Sequence, residues 1–209
     1  MSIVLVGSTS GSVTLQEPAV AGTTVLTLPT TSGTVITTGS SGQSIPKAAL
    51  PTGSVLQVVQ TIKTDFFSLG TTGTWTDVTN VSVTITPTSS SSKVLIMFAG
   101  EFGGQNSDSF AYLRVLRDAT VLSVGDARGS SRQVTMSAAL RTGGGSSTDV
   151  TRAFGCQILD TPSTTSATTY KLQMIGSANP SFCIGGTFST SDANRSSVPT
   201  FITAMEISA

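Results

Sequence analysis

The chain has 209 residues, with 11 Lys and Arg balanced by 11 Asp and Glu and no histidine. Zero net charge without any concentration of Lys or Arg argues against nucleic acid as a partner. The lack of histidine removes Ser-His-Asp, Cys-His and zinc-His chemistry. The longest apolar run, Val94-Leu-Ile-Met-Phe-Ala99, is too short to cross a bilayer.

Ser and Thr occupy 67 positions and Gly 21, while charged residues are only 11% of the chain. An ordinary soluble domain has about a quarter charged. The Glu and Lys that fill helix surfaces are sparse, and Val, Ile, Thr and Phe are frequent. The class is all-β. This length accommodates one domain of about 150 residues plus an appendage.

Residues 1–50 hold two charged residues, Glu17 and Lys47, and no aromatic one. Their short apolar runs contain Val13 and Leu15, then Val25, Leu26 and Leu28, then Val35 and Ile36, separated by Gly, Ser, Thr and Pro. The pattern predicts short strands punctuated by turns. Runs this short bury too little surface to offset the cost of ordering their own backbone. Residues 1–52 are therefore expected to be an extended assembly arm with a linker, ordered by other copies of the chain or by a neighbouring protein. Met1-Ser-Ile-Val-Leu-Val6 has no basic region and no clear cleavage site, so a signal peptide is not expected.

Residues 53–209 read as the folded domain, a jelly-roll β-sandwich. Val55 to Ile62 is a β-branched run. Val81-Ser-Val-Thr-Ile-Thr86 alternates, which predicts a strand with one buried face. Lys93 to Phe102 reads as a central strand covered on both faces. Phe110 to Arg117 and Thr120 to Val124 flank a tight turn at Asp118-Ala119. Alternation there sets Phe110, Tyr112, Arg114 and Leu116 on one face and Leu113 and Val115 on the other. Further strands are expected at Gln133 to Leu140, Arg152 to Leu159, Thr169 to Ile175 and Phe201 to Ile207. The last of these should be central in its sheet.

Little in this pattern supports chemistry. Asp108, Asp118, Asp126 and Asp160 are the carboxylates available for acid–base work. Each lies within two residues of a Gly, Ser, Ala or Pro in a predicted turn, where Asp is favoured. Gly125 to Gly129 and Ser191 to Arg195 lack the oxygen ligands that calcium needs, and no zinc spacing exists. No cofactor is expected. Cys156 and Cys183 each sit in an apolar stretch, as buried thiols or as a disulfide between neighbouring strands. Trp75 is either core or an exposed sugar platform. Seven Arg residues between 114 and 195 suggest rim charges or intersubunit ion pairs, with a sulfate or sugar-acid site as the sharper alternative.

Gly53-Ser-Val-Leu-Gln-Val-Val-Gln60, Lys93-Val-Leu-Ile-Met97, Leu113-Arg-Val-Leu-Arg-Asp118, Leu159-Asp-Thr-Pro162 with Thr168-Thr-Tyr170, and Ile202-Thr-Ala-Met-Glu-Ile207 occur in that order. Together they resemble a domain widespread in virion proteins of tailed phages, marine phages and cyanophages especially. Leu26-Thr-Leu-Pro-Thr-Thr-Ser-Gly-Thr34 is similar to the segment preceding such domains in tail-fibre proteins. The resemblance implies a homotrimer attached to the particle by its N-terminal region, and it carries over no catalytic residues.

The expected function is that of a non-enzymatic virion structural protein, assembled in the host cytoplasm. It is expected to be a fibre that meets the host surface, with a capsid decoration protein as the alternative. Expected partners are sister chains, other virion proteins and a host-surface glycan, without membrane insertion. A free carbohydrate-binding module is the more distant reading, and a polysaccharide depolymerase using Asp residues the most distant.

Overall fold

The computed structural model of the protein describes residues 3–6, 8–15, 50–69, 73–105, 109–140, 149–176, 182–187 and 196–209. The chain divides into two compact units, Met1–Ile45 and Pro46–Ala209. In the first, β1 (Ile3–Val6) and β2 (Ser12–Leu15) pair antiparallel, with Ile3 opposite Leu15 and Val6 opposite Ser12. Gly11, at φ 81°, opens the return strand. Val4, Leu5 and Val6 are exposed in this pair.

The second unit is all-β. Its strands are β3 (Val55–Lys63), β4 (Phe67–Ser68), β5 (Thr76–Ile85), β6 (Lys93–Gln105), β7 (Ser109–Arg117), β8 (Thr120–Leu122), β9 (Met136–Leu140), β10 (Asp149–Asp160), β11 (Thr168–Gly176), β12 (Phe182–Ile184) and β13 (Thr200–Ile207). One sheet runs β3-β13-β6-β10, with β12 and β4 continuing alongside the far end of β6. The other runs β5-β11-β7, with β8 and β9 sharing the outer edge of β7. Every pairing is antiparallel.

The two sheets stack like a sandwich, and their facing residues form the core. Val94, Ile96, Phe98, Phe102, Phe154, Ile202 and Ala204 come from one sheet, and Val83, Ile85, Leu113, Val115, Tyr170, Leu172 and Met174 from the other. The alternation read from Val81 to Ile85 appears as one-sided burial, and along β7 Ala111, Leu113 and Val115 point inward, with Leu116 of the opposite face buried as well. The last strand is central, between β3 and β6. The hairpin at Asp118-Ala119 closes as expected, with Asp118 at φ 51° and its carboxylate accepting from the Thr169 N–H.

One feature departs from the sequence reading, and a second lies upstream of the stretch read as alternating. The run expected to be covered on both faces, β6, is central but covered on one face only: Val94, Ile96 and Phe98 are buried while Leu95, Met97 and Ala99 are half-buried. The second is a bulge in β5, which uses residues 77–82 where β11 uses 171–173, with Asn80 at φ 62°. A bulge inverts side-chain parity on the far side of the insertion. Unbroken alternation from Val81 backwards points Asp77 and Trp75 into the core. The bulge buries Val78 instead and turns Asp77 and Trp75 outward.

Close backbone approach explains one glycine. A Cβ on Gly103 would collide with the Gly186 carbonyl oxygen and the Cys183 Sγ, so β12 reaches β6 only because position 103 has no side chain.

Candidate functional site

The sandwich has two outer faces of opposite character. On the β3-β13-β6-β10 sheet, cross-strand register lines up three rows: Ile62, Phe201, Ala99 and Gly155; Gln60, Thr203, Met97 and Gln157; Val58, Met205, Leu95 and Leu159. None of these residues is charged. Val58 is 54% exposed, Ile62 58%, Leu159 55% and Phe201 39%. The polar pair in the middle row satisfies itself, since Gln60 Nε2 donates to Thr203 Oγ1 at 2.8 Å. Among the described residues of these four strands that share this face, charge appears at Lys93, which starts β6, and at Glu101 beyond the three rows. An uncharged face with exposed apolar side chains on both sides of a self-satisfied polar row, and charge confined to its rim, has the anatomy of a protein–protein interface.

The outer face of the β5-β11-β7 sheet is polar and aromatic. The Arg114 guanidinium lies 4.2 Å from the centroid of the Trp75 ring. Its Nε and Nη2 both donate to Gln173 Oε1, at 2.8 and 2.7 Å. Gln173 Nε2 donates to Asp77 Oδ1 at 2.6 Å, and Lys171 Nζ donates to Asp77 Oδ2 at 2.7 Å. Two residues along β7 stands Tyr112, whose ring lies 14° from parallel with that of Phe110 at a centroid separation of 6.2 Å. The Arg132 guanidinium lies 5.8 Å from the Tyr112 centroid. The Lys171 bond, with Gln173 and Arg114 adding to it, outweighs partial burial and holds the Asp77 carboxyl below its ordinary range. Burial weakens the protonation of Arg114, against which Asp77 acts.

Two further carboxylates are structural. Glu206 points inward from β13 and is fully buried. Its Oε1 accepts from the Thr88 N–H and Oγ1 at 2.6 and 2.7 Å, and its Oε2 from Gln57 Nε2 at 2.6 Å. Burial raises its pKa, but hydrogen bonds from Thr88, Gln57 and Ser92 outweigh that, so it stays below the usual range. Asp160, expected in a turn, instead ends β10. It accepts two bonds from Arg117 Nη1 at 2.9 Å and one from the Tyr170 hydroxyl at 2.7 Å. Burial, then the Asp160 hydrogen bond and charge, push the Tyr170 hydroxyl far above its ordinary value.

The other candidate residues do not converge. Asp118 serves its hairpin, Asp126 is exposed in an irregular stretch, and Asp108 lies outside the described residues. Cys156 and Cys183 do not form a disulfide, and the Cys183 Sγ donates to the Gly186 carbonyl at 3.3 Å. Cys156 stands opposite Phe98 on one edge of β6, and Cys183 opposite Gly103 on the other. Trp75 is neither core nor a bare platform, because it lies half-buried beneath Arg114. Of the expected assembly residues, Val13 stands opposite Leu5 and Leu15 opposite Ile3 in β2. Val25, Leu26, Leu28, Val35 and Ile36 lie outside the described residues.

No protein-family model matches the chain, and no curated protein is significantly similar to it.

Proposed function

We propose that the protein is a non-enzymatic virion structural protein of a tailed phage. It is a homotrimeric fibre, fixed to the particle by residues 1–52 and displaying a jelly-roll sandwich to the host surface. The phage assignment rests on the ordered motifs from Gly53 to Ile207. Nested pairing supports the jelly roll. Among the eight main strands the first pairs with the last (β3 with β13), then β5 with β11, β6 with β10 and β7 with β9. That is one long hairpin folded over into two sheets.

The observation that carries the assembly reading is the incompletely covered outer face of β6, half-buried at Leu95, Met97 and Ala99, with exposed Val58, Ile62, Leu159 and Phe201 on its neighbours. A run as continuous as Val94 to Ala99 belongs to a strand covered on both sides. One protomer covers only the side bearing Val94, Ile96 and Phe98. A second copy supplies the missing cover, and a closed three-membered ring covers all three faces at once. The polar, aromatic face of the other sheet then remains outward, which favours display over a purely clamping role on the capsid.

Sedimentation velocity of the full chain beside a 53–209 fragment tests this. Trimers in both samples support assembly through the sandwich. Monomers in both refute it. A trimer of the full chain with a monomeric fragment moves assembly from the sheet face to the arm.

A further inference from the structure

We infer that the outer face of the β5-β11-β7 sheet binds an acidic glycan, a saccharide bearing carboxylate groups, a reading that presupposes the display role proposed above.

Aromatic surface comes first. Tyr112 and Phe110 present two nearly parallel rings on a strand that is central in its sheet. The C–H faces of a pyranose pack on such rings, and a ring held on a strand loses little freedom when it is covered. Two residues further along the same face lies Arg114.

Arg114 is positioned before any ligand arrives. Stacking on Trp75 and the two bonds to Gln173 fix the plane of the guanidinium. Gln173 is itself fixed by Asp77, and Asp77 by Lys171. Of the five N–H donors on Arg114, two are committed to Gln173 and three remain for a ligand. A planar fork of this kind matches a carboxylate.

Charge selects the acidic class. Lys171 neutralises Asp77, the one carboxylate of the cluster. Among the described residues neither Arg114 nor Arg132 has a carboxylate partner within ion-pair distance, so the face carries two unmatched positive charges beside its aromatic rings. A neutral sugar leaves those charges unanswered, whereas a uronate or sialate answers them.

The test is calorimetric titration of the full-length protein with oligogalacturonate, oligomannuronate and oligosialic acid, each beside its carboxyl-reduced form. At least one acidic member is expected to bind about tenfold or more tighter than its reduced form, since each charge-assisted hydrogen bond contributes roughly that factor. Affinity should fall as salt is raised. Arg132→Gln, at an exposed position whose change leaves folding intact, should weaken binding about tenfold, as should Arg114→Gln. Tyr112→Ala should abolish it. Equal affinity for acidic and reduced forms, indifference to Arg132→Gln and Tyr112→Ala, or no binding by any acidic member at millimolar concentration overturns the site. Sedimentation of the same samples separates the two readings. A trimer that binds none of the acids sinks the glycan site alone, and a monomer that binds them sinks the assembly reading alone.

Discussion

Replacing Ile62 with Glu puts a carboxylate in the apolar rows of β3, β13 and β6, directly opposite Phe201. In an isolated protomer the position is 58% exposed, so the new charge stays hydrated. The domain should then lose less than about 1 kcal/mol, mostly through the poorer strand propensity of Glu. If a neighbouring copy covers the face, the same carboxylate is taken from water without a cation to meet it. That costs several kcal/mol when complete. With partial hydration at the sheet edge, about 3 kcal/mol per contact is a moderate figure. A closed trimer has three such contacts, for a total of about 9 kcal/mol, and at about 1.4 kcal/mol per decade the assembly constant falls roughly a millionfold. Sedimentation velocity at micromolar concentration should find trimer for the parent and monomer for Ile62→Glu, with a circular dichroism melt of the variant retaining a cooperative transition. Ser82→Glu, on the outer face of the other sheet opposite Lys171, is the matched control and should leave the trimer intact. An Ile62→Glu protein that still sediments as a trimer, or equal dissociation by Ser82→Glu, would refute the reasoning.

Glu206 should make stability pH-dependent. Its carboxyl is depressed in the folded state, so its stabilising contribution is present above the ordinary carboxylate range and is lost as pH falls through the depressed folded value. Thermal melts should show Tm falling on acidification, with a shallower fall in Glu206→Gln. That substitution should itself cost about 2–4 kcal/mol at neutral pH, because an amide N–H then faces Thr88 or Gln57, and Gln57 cannot turn its amide without losing its bond to the Thr86 carbonyl. Tyr170 behaves in the opposite sense. Its raised folded pKa stabilises the fold below the unfolded value near 10, and that contribution is lost as pH rises. In a Tyr112→Phe background, tyrosinate absorbance should therefore appear only together with unfolding. Gly103→Ala should cost about 2–3 kcal/mol or more by driving a methyl group into the Gly186 carbonyl and Cys183, read as a lowered denaturation midpoint. A midpoint unchanged by Gly103→Ala would mean that β12 does not need its close approach to β6.

Much of the sandwich was legible along the chain because strand burial repeats every two residues. Val81, Val83 and Ile85, or Ala111, Leu113 and Val115, announce a buried face without reference to any partner. The final strand, from Thr200 to Ile207, was legible from its apolar and β-branched content and not from alternation, since Glu206 points inward while Phe201 faces out. The two-residue β4 and three-residue β12 were not, since segments that short carry no periodicity and exist only through their pairing with each other and with β6. The polar face was half legible. Alternation put Phe110, Tyr112 and Arg114 together, but Gln173, 59 residues downstream of Arg114, and Lys171 join them from β11, and Asp77 from β5 on its far side.

Composition and alternation alone determined the all-β class, the one-sided strands and the lack of histidine chemistry, because these depend on residue type and on neighbours within a few positions. Tertiary structure decided which faces meet. A single inserted stretch around Asn80 sends Trp75 and Asp77 to the surface instead of the core, and pairing across long sequence separations leaves Leu95 and Met97 only half-buried. Side-chain parity can be read locally only until a bulge resets it, and whether an apolar face is covered depends on what the rest of the chain has left to lay upon it.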